Sequence, residues 1–208
     1  PDVYKRQDIS KPDGHLVIDI GGGTTEVAVV SLGGVVESES IKTAGDAFDE
    51  AIVRYVRRKH NILIGKRTAE ELKIGIACLV PRAEVGIQEV KGRCLTTGLP
   101  KSVKISSVEL VEAIAEPARD ILETIHMVLE RTPPELVADL AQNGIIMAGG
   151  GSLIYGFDQL VEKDTGIRTT VVDDALSCAA FGSGKMLMNL NDMQDGMVNL
   201  ARKRQMKA

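Results

Sequence analysis

Leu16-Val-Ile-Asp-Ile-Gly-Gly-Gly-Thr-Thr-Glu26 is the stretch that decides the fold, because an apolar strand runs directly into three glycines. A second stretch, Ile145-Ile-Met-Ala-Gly-Gly-Gly-Ser152, repeats the arrangement near the other end of the chain. Glycines let the backbone bend through positive φ and bring bare N–H groups close to a bound anion. Two such loops predict a phosphorylated ligand that is held from two sides.

The first loop also carries a carboxylate and two hydroxyls. Asp19 lies at the end of the strand, where a buried carboxylate needs a partner, and Thr24 and Thr25 follow the glycines. This arrangement suits a hydrated Mg2+ beside phosphate oxygens, since Mg2+ keeps most of its waters and takes only one or two carboxylates. The alternative is a glycine hairpin between strands 16–20 and 27–32, which Asp19 merely caps. The sequence G-x-x-x-x-G-K-S/T is absent, which excludes a P-loop.

Several motifs resemble known loops. Asp19-Ile-Gly-Gly-Gly-Thr-Thr-Glu-Val-Ala-Val29 resembles the second phosphate loop of the actin, sugar-kinase and chaperone ATPase superfamily, and Ile146-Met-Ala-Gly-Gly-Gly-Ser-Leu153 resembles its adenosine loop. The segments between them are similar in order and spacing to the bacterial actin-like MreB family, from about His15 to Lys185. They are Ala44-Gly-Asp46, Asn61-Ile-Leu-Ile-Gly65, Thr68-Ala-Glu-Glu-Leu-Lys73, Thr97-Gly-Leu-Pro-Lys101 and Arg131-Thr-Pro-Pro-Glu-Leu136.

The resemblance implies an α/β fold, an actin-like (ribonuclease H-like) ATPase domain with a smaller inserted α+β lobe. It covers only the second half of the family, so the first phosphate loop and the glutamate that prepares the attacking water have no counterpart here. The implied division places residues 8–46 and 103–177 in the larger subdomain and 47–102 in the smaller lobe. Residues 178–208 form a C-terminal helix and basic tail that return to the missing first domain. Residues 1–7 match nothing in the family, and we interpret them as a foreign or sequence-assembly scar.

The resemblance also implies the ligands, ATP and Mg2+, and the residues that hold them. Asp19 would act through magnesium-bound water, and Thr24 would place a hydroxyl near the attacking water. With one wall of the cleft missing, we expect weak nucleotide binding and negligible turnover from this chain. The implied nucleotide contacts are Gly21, Gly22, Gly23, Thr24, Thr25, Lys66, Arg67, Thr68, Ala69, Glu70, Lys73, Gly149, Gly150, Gly151, Ser152 and Leu153.

The function that the resemblance implies is that of a filament-forming cytoskeletal ATPase that helps set bacterial cell shape by organising cell-wall synthesis. Its partners would be further copies of itself and the cell-wall elongation and membrane-associated morphogenesis proteins, at the inner face of the cell membrane. Membrane contact would be indirect or would use the missing half. Two alternatives stay open, a sugar-kinase type phosphotransferase and a structural module that uses no nucleotide. The preference for ATP over GTP also stays open.

Composition narrows the class of protein. With 208 residues, 44% hydrophobic and 26% charged, the chain can bury a substantial core and is not disordered by charge and hydropathy. A net charge of −4 and 3% aromatic residues do not indicate the basic, aromatic-containing surface that is typical of a nucleic-acid-binding protein. The three widely spaced cysteines predict reduced thiols rather than a disulfide framework. No apolar run approaches the length that spans a membrane, and the basic residues 202–204 and 207 are interpreted as a solvated end.

Local signals place the helices and strands. Asp46 is a fair N-cap for a first helix, and Thr68-Ala-Glu-Glu71 has the spacing of a capping box that starts a helix running to about Ile76. A second capping box, Ser106-Ser-Val-Glu109, opens a helical stretch that Pro117 should break in two.

The remaining segments predict strands and a helix beside the second glycine loop. Residues 83–105 read as short strands with a turn at Gly92. The second glycine loop is expected to open a helix from about Ser152 to Lys163. The last helix, from about Leu176, should leave an apolar face exposed that includes Phe181, Met186 and Leu187.

Overall fold

The computed structural model describes residues 12–188, with side chains to residue 184, as two sheets wrapped by helices. The predictions for residues 1–7, the basic tail, Met186 and Leu187 lie outside the described residues and side chains. The elements in chain order are β1 (His15–Ile20), β2 (Thr25–Ser31), β3 (Gly34–Ile41), α1 (Gly45–His60), β4 (Ile62–Leu63), α2 (Lys66–Ile76), β5 (Ile87–Cys94), β6 (Pro100–Ser106), α3 (Ser107–Ala113), α4 (Ala115–Arg131), α5 (Pro134–Asn143), β7 (Ile145–Ala148), a 3-10 turn (Gly150–Leu153), α6 (Phe157–Thr165), β8 (Thr169–Val171) and α7 (Cys178–Met188).

The larger sheet has five strands in the order β3-β2-β1-β7-β8. Its central strand, β1, pairs antiparallel with β2 and parallel with β7. Leu16, Ile18 and Ile20 of β1 are fully buried, as expected for a central strand that helices cover. Because the parallel register sets Asp19 beside Ala148, the glycine loops that follow β1 and β7 leave the sheet at the same edge. The fold therefore brings together two loops that are far apart in sequence.

The smaller sheet has three antiparallel strands in the order β4-β5-β6. The prediction of a turn at Gly92 is wrong, since Gly92 lies inside β5 and the chain reverses between residues 94 and 100. A Cβ at Gly92 would lie 2.4 Å from Ile62 Cγ2 and 2.6 Å from the Leu63 carbonyl oxygen. The glycine is therefore explained by the close approach of β4 and not by a turn.

Helix starts follow the predictions only in part. The Ser106 capping box is confirmed, with the Glu109 amide bonded to Ser106 Oγ and the Ser106 amide bonded to the Glu109 carboxylate. The break that Pro117 predicts is confirmed as well, because α3 ends at Ala113, whose carbonyl the proline ring would meet in a continuous helix. The caps predicted at Asp46 and Thr68 are wrong.

Both of these helices begin earlier than predicted, after residues whose side chains do not cap them. Helix α1 is preceded by Ala44, and α2 begins at Lys66 after Gly65, with no side-chain cap in either case. The helix predicted from Ser152 to Lys163 is wrong too, because the 3-10 turn ends at Leu153 and α6 begins only at Phe157, after Gly156 at φ 77°.

One contiguous apolar core joins the two sheets and their helices. The predicted α/β class is observed, while the proposed division at residues 47–102 stays a prediction. Phe181 of α7 is 65% exposed, as expected for the apolar face of the last helix. Within residues 12–188, no helix has both the length and the apolar character needed to cross a membrane.

Candidate functional site

The two glycine loops touch. Gly149, the first residue of the second loop, has φ +81°, and a Cβ there would lie 2.3 Å from the Ile20 carbonyl oxygen and 2.4 Å from Asp19 Oδ1. A Cβ at Gly151 would lie 2.3 Å from Ile20 Cγ2. Side chains at either position would push the loops apart, so the glycines are what allow Asp19 to lie against the second loop.

Both loops line one cleft of about 680 Å3, a volume within the range typical of small-molecule sites. The prediction that the two glycine loops face the same cleft is therefore confirmed. The residues that line the cleft are Asp19, Gly21, Gly22, Thr24, Glu26, Gly45, Glu70, Lys73, Ile74, Ala77, Arg82, Gly149, Gly150, Gly151, Leu153, Ile154, Tyr155, Ala175, Leu176 and Ala179.

One end of the cleft is acidic and rich in backbone amides. Asp19 and Glu26 stand opposite each other in the β1–β2 register, and both line the cleft. Burial, and next the charge of Glu26, raise the pKa of the Asp19 carboxyl above its usual value. The amide of Gly21 donates to the Thr24 carbonyl at 2.9 Å, which leaves Gly22 and Gly23 as the glycines of the first loop whose amides have no backbone acceptor within residues 12–188.

Helix α1 begins against the first loop. The amides of Gly45 and Asp46 donate to the carbonyls of Gly21 and Gly22 at 3.0 and 2.8 Å. On the other side, Lys73 of α2 donates from Nζ to the Gly45 carbonyl at 3.0 Å and lies 2.9 Å from the Asp49 carboxylate. A chain of polar contacts therefore connects α2, the start of α1 and the first glycine loop.

The other part of the wall is apolar and was not found by sequence reasoning. Ile74, Leu153, Tyr155 and Leu176 line it while each keeps a large exposed fraction. Arg82 lies there as well, with its guanidinium carbon 4.5 Å from the centroid of the Tyr155 ring. Of these five residues, only Leu153 was predicted, because single apolar residues on loops carry no signal until the fold assembles them.

Several predicted contacts lie away from the cleft wall. Thr25 and Ser152 are buried and donate to the carbonyls of Thr43 and Gly149, both at 2.7 Å. Ala69 is fully buried in the core. Gly23 and Thr68 are also not among the lining residues. A nucleotide contact for any of these stays a prediction.

Two predicted cations are held in ion pairs on the exposed face of α2. Lys66 lies 2.9 Å from Glu50, and Arg67 lies 3.1 Å from Glu71 one turn further along the same helix. All four side chains are more than half exposed. Glu70 and Lys73, in contrast, do line the cleft, so α2 presents only part of its predicted contact set to the hollow.

Replacing Asp19 by Asn is expected to stabilise the ligand-free protein at neutral pH. A carboxyl whose pKa is raised on folding adds stability below its unfolded pKa, and this contribution is lost as the pH rises through the folded value. At pH 7 the ionised carboxylate is therefore a net cost, and D19N should raise the melting temperature by about 1–3 °C. Thermal denaturation at pH 7 and pH 4 measures this, and the gain should shrink at pH 4. A lower melting temperature for D19N at pH 7 would contradict the assignment.

The mixed five-stranded sheet, with one glycine loop after each of two adjacent parallel strands, defines an actin-like fold. The sequence model described as MreB/Mbl protein matches residues 5–195. The chain belongs to the MreB/Mbl family.

Curated relatives agree with this assignment. The chain is 46% identical over 188 residues to the cell shape-determining protein MreB of Escherichia coli K12, covering 90% of this chain and 54% of the relative. It is 43% identical over 186 residues to the cell shape-determining protein Mbl of Bacillus subtilis 168, covering 89% of this chain and 56% of the relative. The chain thus spans about half the length of the curated relatives it matches.

Solved structures give the same fold. MreB5 of Spiroplasma citri bound to ADP aligns with a TM-score of 0.87 and 39% identity, covering 91% of this chain and 57% of that one. A MamK double helical filament aligns with a TM-score of 0.64 and 27% identity, covering 80% and 54%. The predicted actin-like fold is confirmed by these likenesses.

Proposed function

We propose that the cleft binds a nucleoside polyphosphate, with the phosphates at the acidic, amide-rich end and the base at the apolar end. The observation that carries this proposal is that both glycine loops and Asp19 line one cleft. MreB5 of Spiroplasma citri is a relative whose structures are described as bound to ADP and to AMPPNP, which supports the same ligand class here.

The polar end also fits Mg2+. Asp19 and Glu26 concentrate negative charge at the loop whose glycine amides would face phosphate oxygens, and burial together with the charge of Glu26 raises the pKa of Asp19, so a polyphosphate bound there needs a positive charge beside it. A hydrated Mg2+ held between Asp19 and the phosphates would supply that charge and neutralise the polyphosphate. Asp19 would hold the ion through its water, and Thr24 would place a hydroxyl beside the terminal phosphate.

Isothermal titration with Mg-ATP tests the binding proposal. We expect D19N to weaken binding in the presence of Mg2+ by about tenfold or more, and to have little effect when EDTA removes the metal, because the amide cannot hold hydrated Mg2+. Glu89→Gln is the matched control, since Glu89 is an exposed carboxylate on β5 outside the cleft wall. The proposal fails if neither ATP nor ADP binds, or if D19N and E89Q bind alike.

The larger function follows from the family. We infer that the protein to which this chain belongs assembles into filaments, hydrolyses ATP during assembly and helps set cell shape together with cell-wall elongation proteins. The described MamK filament supports self-association, and the family's cell shape-determining members support the cellular role. A location at the inner face of the membrane and a role in wall synthesis are proposals that rest on family membership.

The same two variants test assembly. In a protein that carries residues 12–188 in their native sequence context, we expect sedimentable polymer that requires Mg-ATP. D19N should reduce the pelleted fraction and E89Q should not. Equal pelleting with and without nucleotide would remove the proposed link between the cleft and assembly, and would favour the structural module that uses no nucleotide.

A further inference from the structure

Arg82 and Tyr155 form a stacked pair in the wall of the cleft. The guanidinium carbon of Arg82 lies 4.5 Å from the centroid of the Tyr155 ring, a distance typical of a cation–π contact. Arg82 Nη2 also donates to the Ala77 carbonyl at 3.0 Å, and the Tyr155 carbonyl accepts from the Leu79 amide at 2.9 Å. The segment that follows α2 therefore holds the Arg82 side chain and the backbone of Tyr155.

Arg82 differs from Lys73, the other cation in the cleft wall. The ammonium of Lys73 is neutralised by Asp49 at 2.9 Å. Arg82, in contrast, has no carboxylate within 4.0 Å in the part of the chain that the structure describes, and its buried Nε has no hydrogen-bond partner there. A guanidinium offers five donors and no acceptor. A ligand with hydrogen-bond acceptors could bond to the free N–H groups of Arg82, and one with a π-face could stack on its planar guanidinium.

The position of the pair distinguishes it from the phosphate end. Asp19 lies beside Ala148 at the end of the sheet, whereas Tyr155 lies beyond the 3-10 turn, and the same cleft is lined by the apolar Ile154, Ala77 and exposed Ile74. A charged phosphate would be poorly placed among these apolar groups, while a planar heteroaromatic ring would bury them.

We propose that Arg82, braced on Tyr155, is a specificity-determining residue that contacts the nucleobase of the bound nucleotide. This inference rests on the proposed function of the cleft. The planar guanidinium covers the edge or the face of the base and donates to its ring nitrogen or carbonyl acceptors, and Tyr155 keeps the guanidinium plane from rotating. Affinity at this end should then depend on the base and not on the phosphates.

A comparison of two ligands on the same variants tests the assignment. We expect Arg82→Ala to weaken binding of Mg-ATP by about tenfold and to change binding of Mg-tripolyphosphate, which has no base, by less than about twofold. Arg82→Lys keeps the charge but not the planar fork, and should lose nearly as much ATP affinity as R82A. Tyr155→Leu should show a similar base-dependent loss, because Arg82 loses its support.

Arg58→Ala is the matched control, since Arg58 lies 6.0 Å from the ring centroid of Tyr55 on α1 and is not part of the cleft wall. It should bind both ligands as the unchanged protein does. Melting temperatures verify that each variant is folded, and Arg82→Gln, which retains side-chain donors, replaces R82A if the alanine variant is unstable.

Three outcomes would overturn the inference. If R82A loses tripolyphosphate affinity as much as ATP affinity, Arg82 contacts phosphate. If R82A and R82K bind ATP normally, the Arg82–Tyr155 pair shapes the cleft wall but makes no contact with the base that contributes to affinity. If the unchanged protein binds tripolyphosphate and ATP equally, the base makes no contact, although the proposed phosphate site survives. Failure of the unchanged protein to bind any nucleotide would instead reject the proposed function itself, and this inference with it.

Discussion

Replacing Lys73 by Met is expected to lower the free energy of unfolding by about 3 kcal/mol, because it leaves the Asp49 carboxylate buried without its partner. The side chains of Lys73 and Asp49 are only 13% and 9% exposed, and Nζ lies 2.9 Å from the carboxylate. The same ammonium donates to the Gly45 carbonyl, so its loss also frees the start of α1. Urea denaturation at pH 7.5 measures the effect.

Lys66→Met is the matched control for this prediction. Lys66 lies on the same helix and pairs with Glu50 at the same 2.9 Å, but the two side chains are 71% and 51% exposed. A solvent-exposed pair of this kind contributes about 0–1 kcal/mol, so K66M should be nearly neutral. If K73M and K66M cost the same, burial does not govern the strength of the Lys73 pair.

The pH dependence of K73M provides a second check. Burial raises the pKa of Asp49 even in the presence of Lys73, and without the ammonium the carboxyl should take up a proton still more readily. A protonated Asp49 carries no charge that needs a partner. The difference in free energy of unfolding between K73M and the unchanged protein should therefore shrink as the pH falls from 7.5 to 5. The double variant Asp49→Asn, Lys73→Met should recover part of the loss at pH 7.5 as well.

Local sequence signals gave the strands that carry the site. Apolar runs ending in glycine placed β1 and β7, and the capping box at Ser106 gave the start of α3 within one residue. These features are predictable because each depends on residues that are neighbours in sequence. The predicted caps at Asp46 and Thr68 were wrong because α1 begins where the Gly45 and Asp46 amides bond to the first glycine loop, and α2 begins two residues before Thr68, after Gly65.

The parts of the site that could not be predicted are long-range pairs. Lys73 and Asp49 are 24 residues apart in sequence, and no local pattern selects one carboxylate of α1 over the others. Arg82 stacks on Tyr155 only because a bridge between Cys78 and Tyr155 brings their segments together. Gly92 was assigned to a turn for a related reason, since glycine signals both a bend and the close approach of another strand.

Family membership and geometry support different parts of the proposed function. The match over residues 5–195 assigns the family, while the shared cleft explains how two loops on parallel strands can act on one ligand. The charge distribution underlies the proposed orientation of that ligand, in which a polyphosphate with Mg2+ lies at the Asp19 end and a planar base lies at the end near Tyr155.

Replacing Gly149 by Ala is expected to be the most damaging single change to the cleft, costing more than about 3 kcal/mol of stability and abolishing nucleotide binding. Its φ of +81° is unfavourable for any residue with a Cβ, and that Cβ would lie 2.3 Å from the Ile20 carbonyl oxygen. Because the obstacle is backbone, the two glycine loops would have to separate, and Asp19 would move with them. Urea denaturation and titration with Mg-ATP measure the two effects.

Gly166→Ala measures the cost of a left-handed alanine without a steric clash. Gly166 has φ +72° and ψ 7° at the end of α6, whereas Gly149 has ψ 158°, a conformation that is nearly exclusive to glycine, and a Cβ at Gly166 would meet nothing within 4 Å. G166A should therefore cost only about 1–2 kcal/mol, the penalty for a left-handed alanine, and should leave nucleotide binding unchanged. If G149A costs no more than G166A, the contact between the loops is looser than the structure indicates, and close approach of the two glycine bends is not what shapes the cleft.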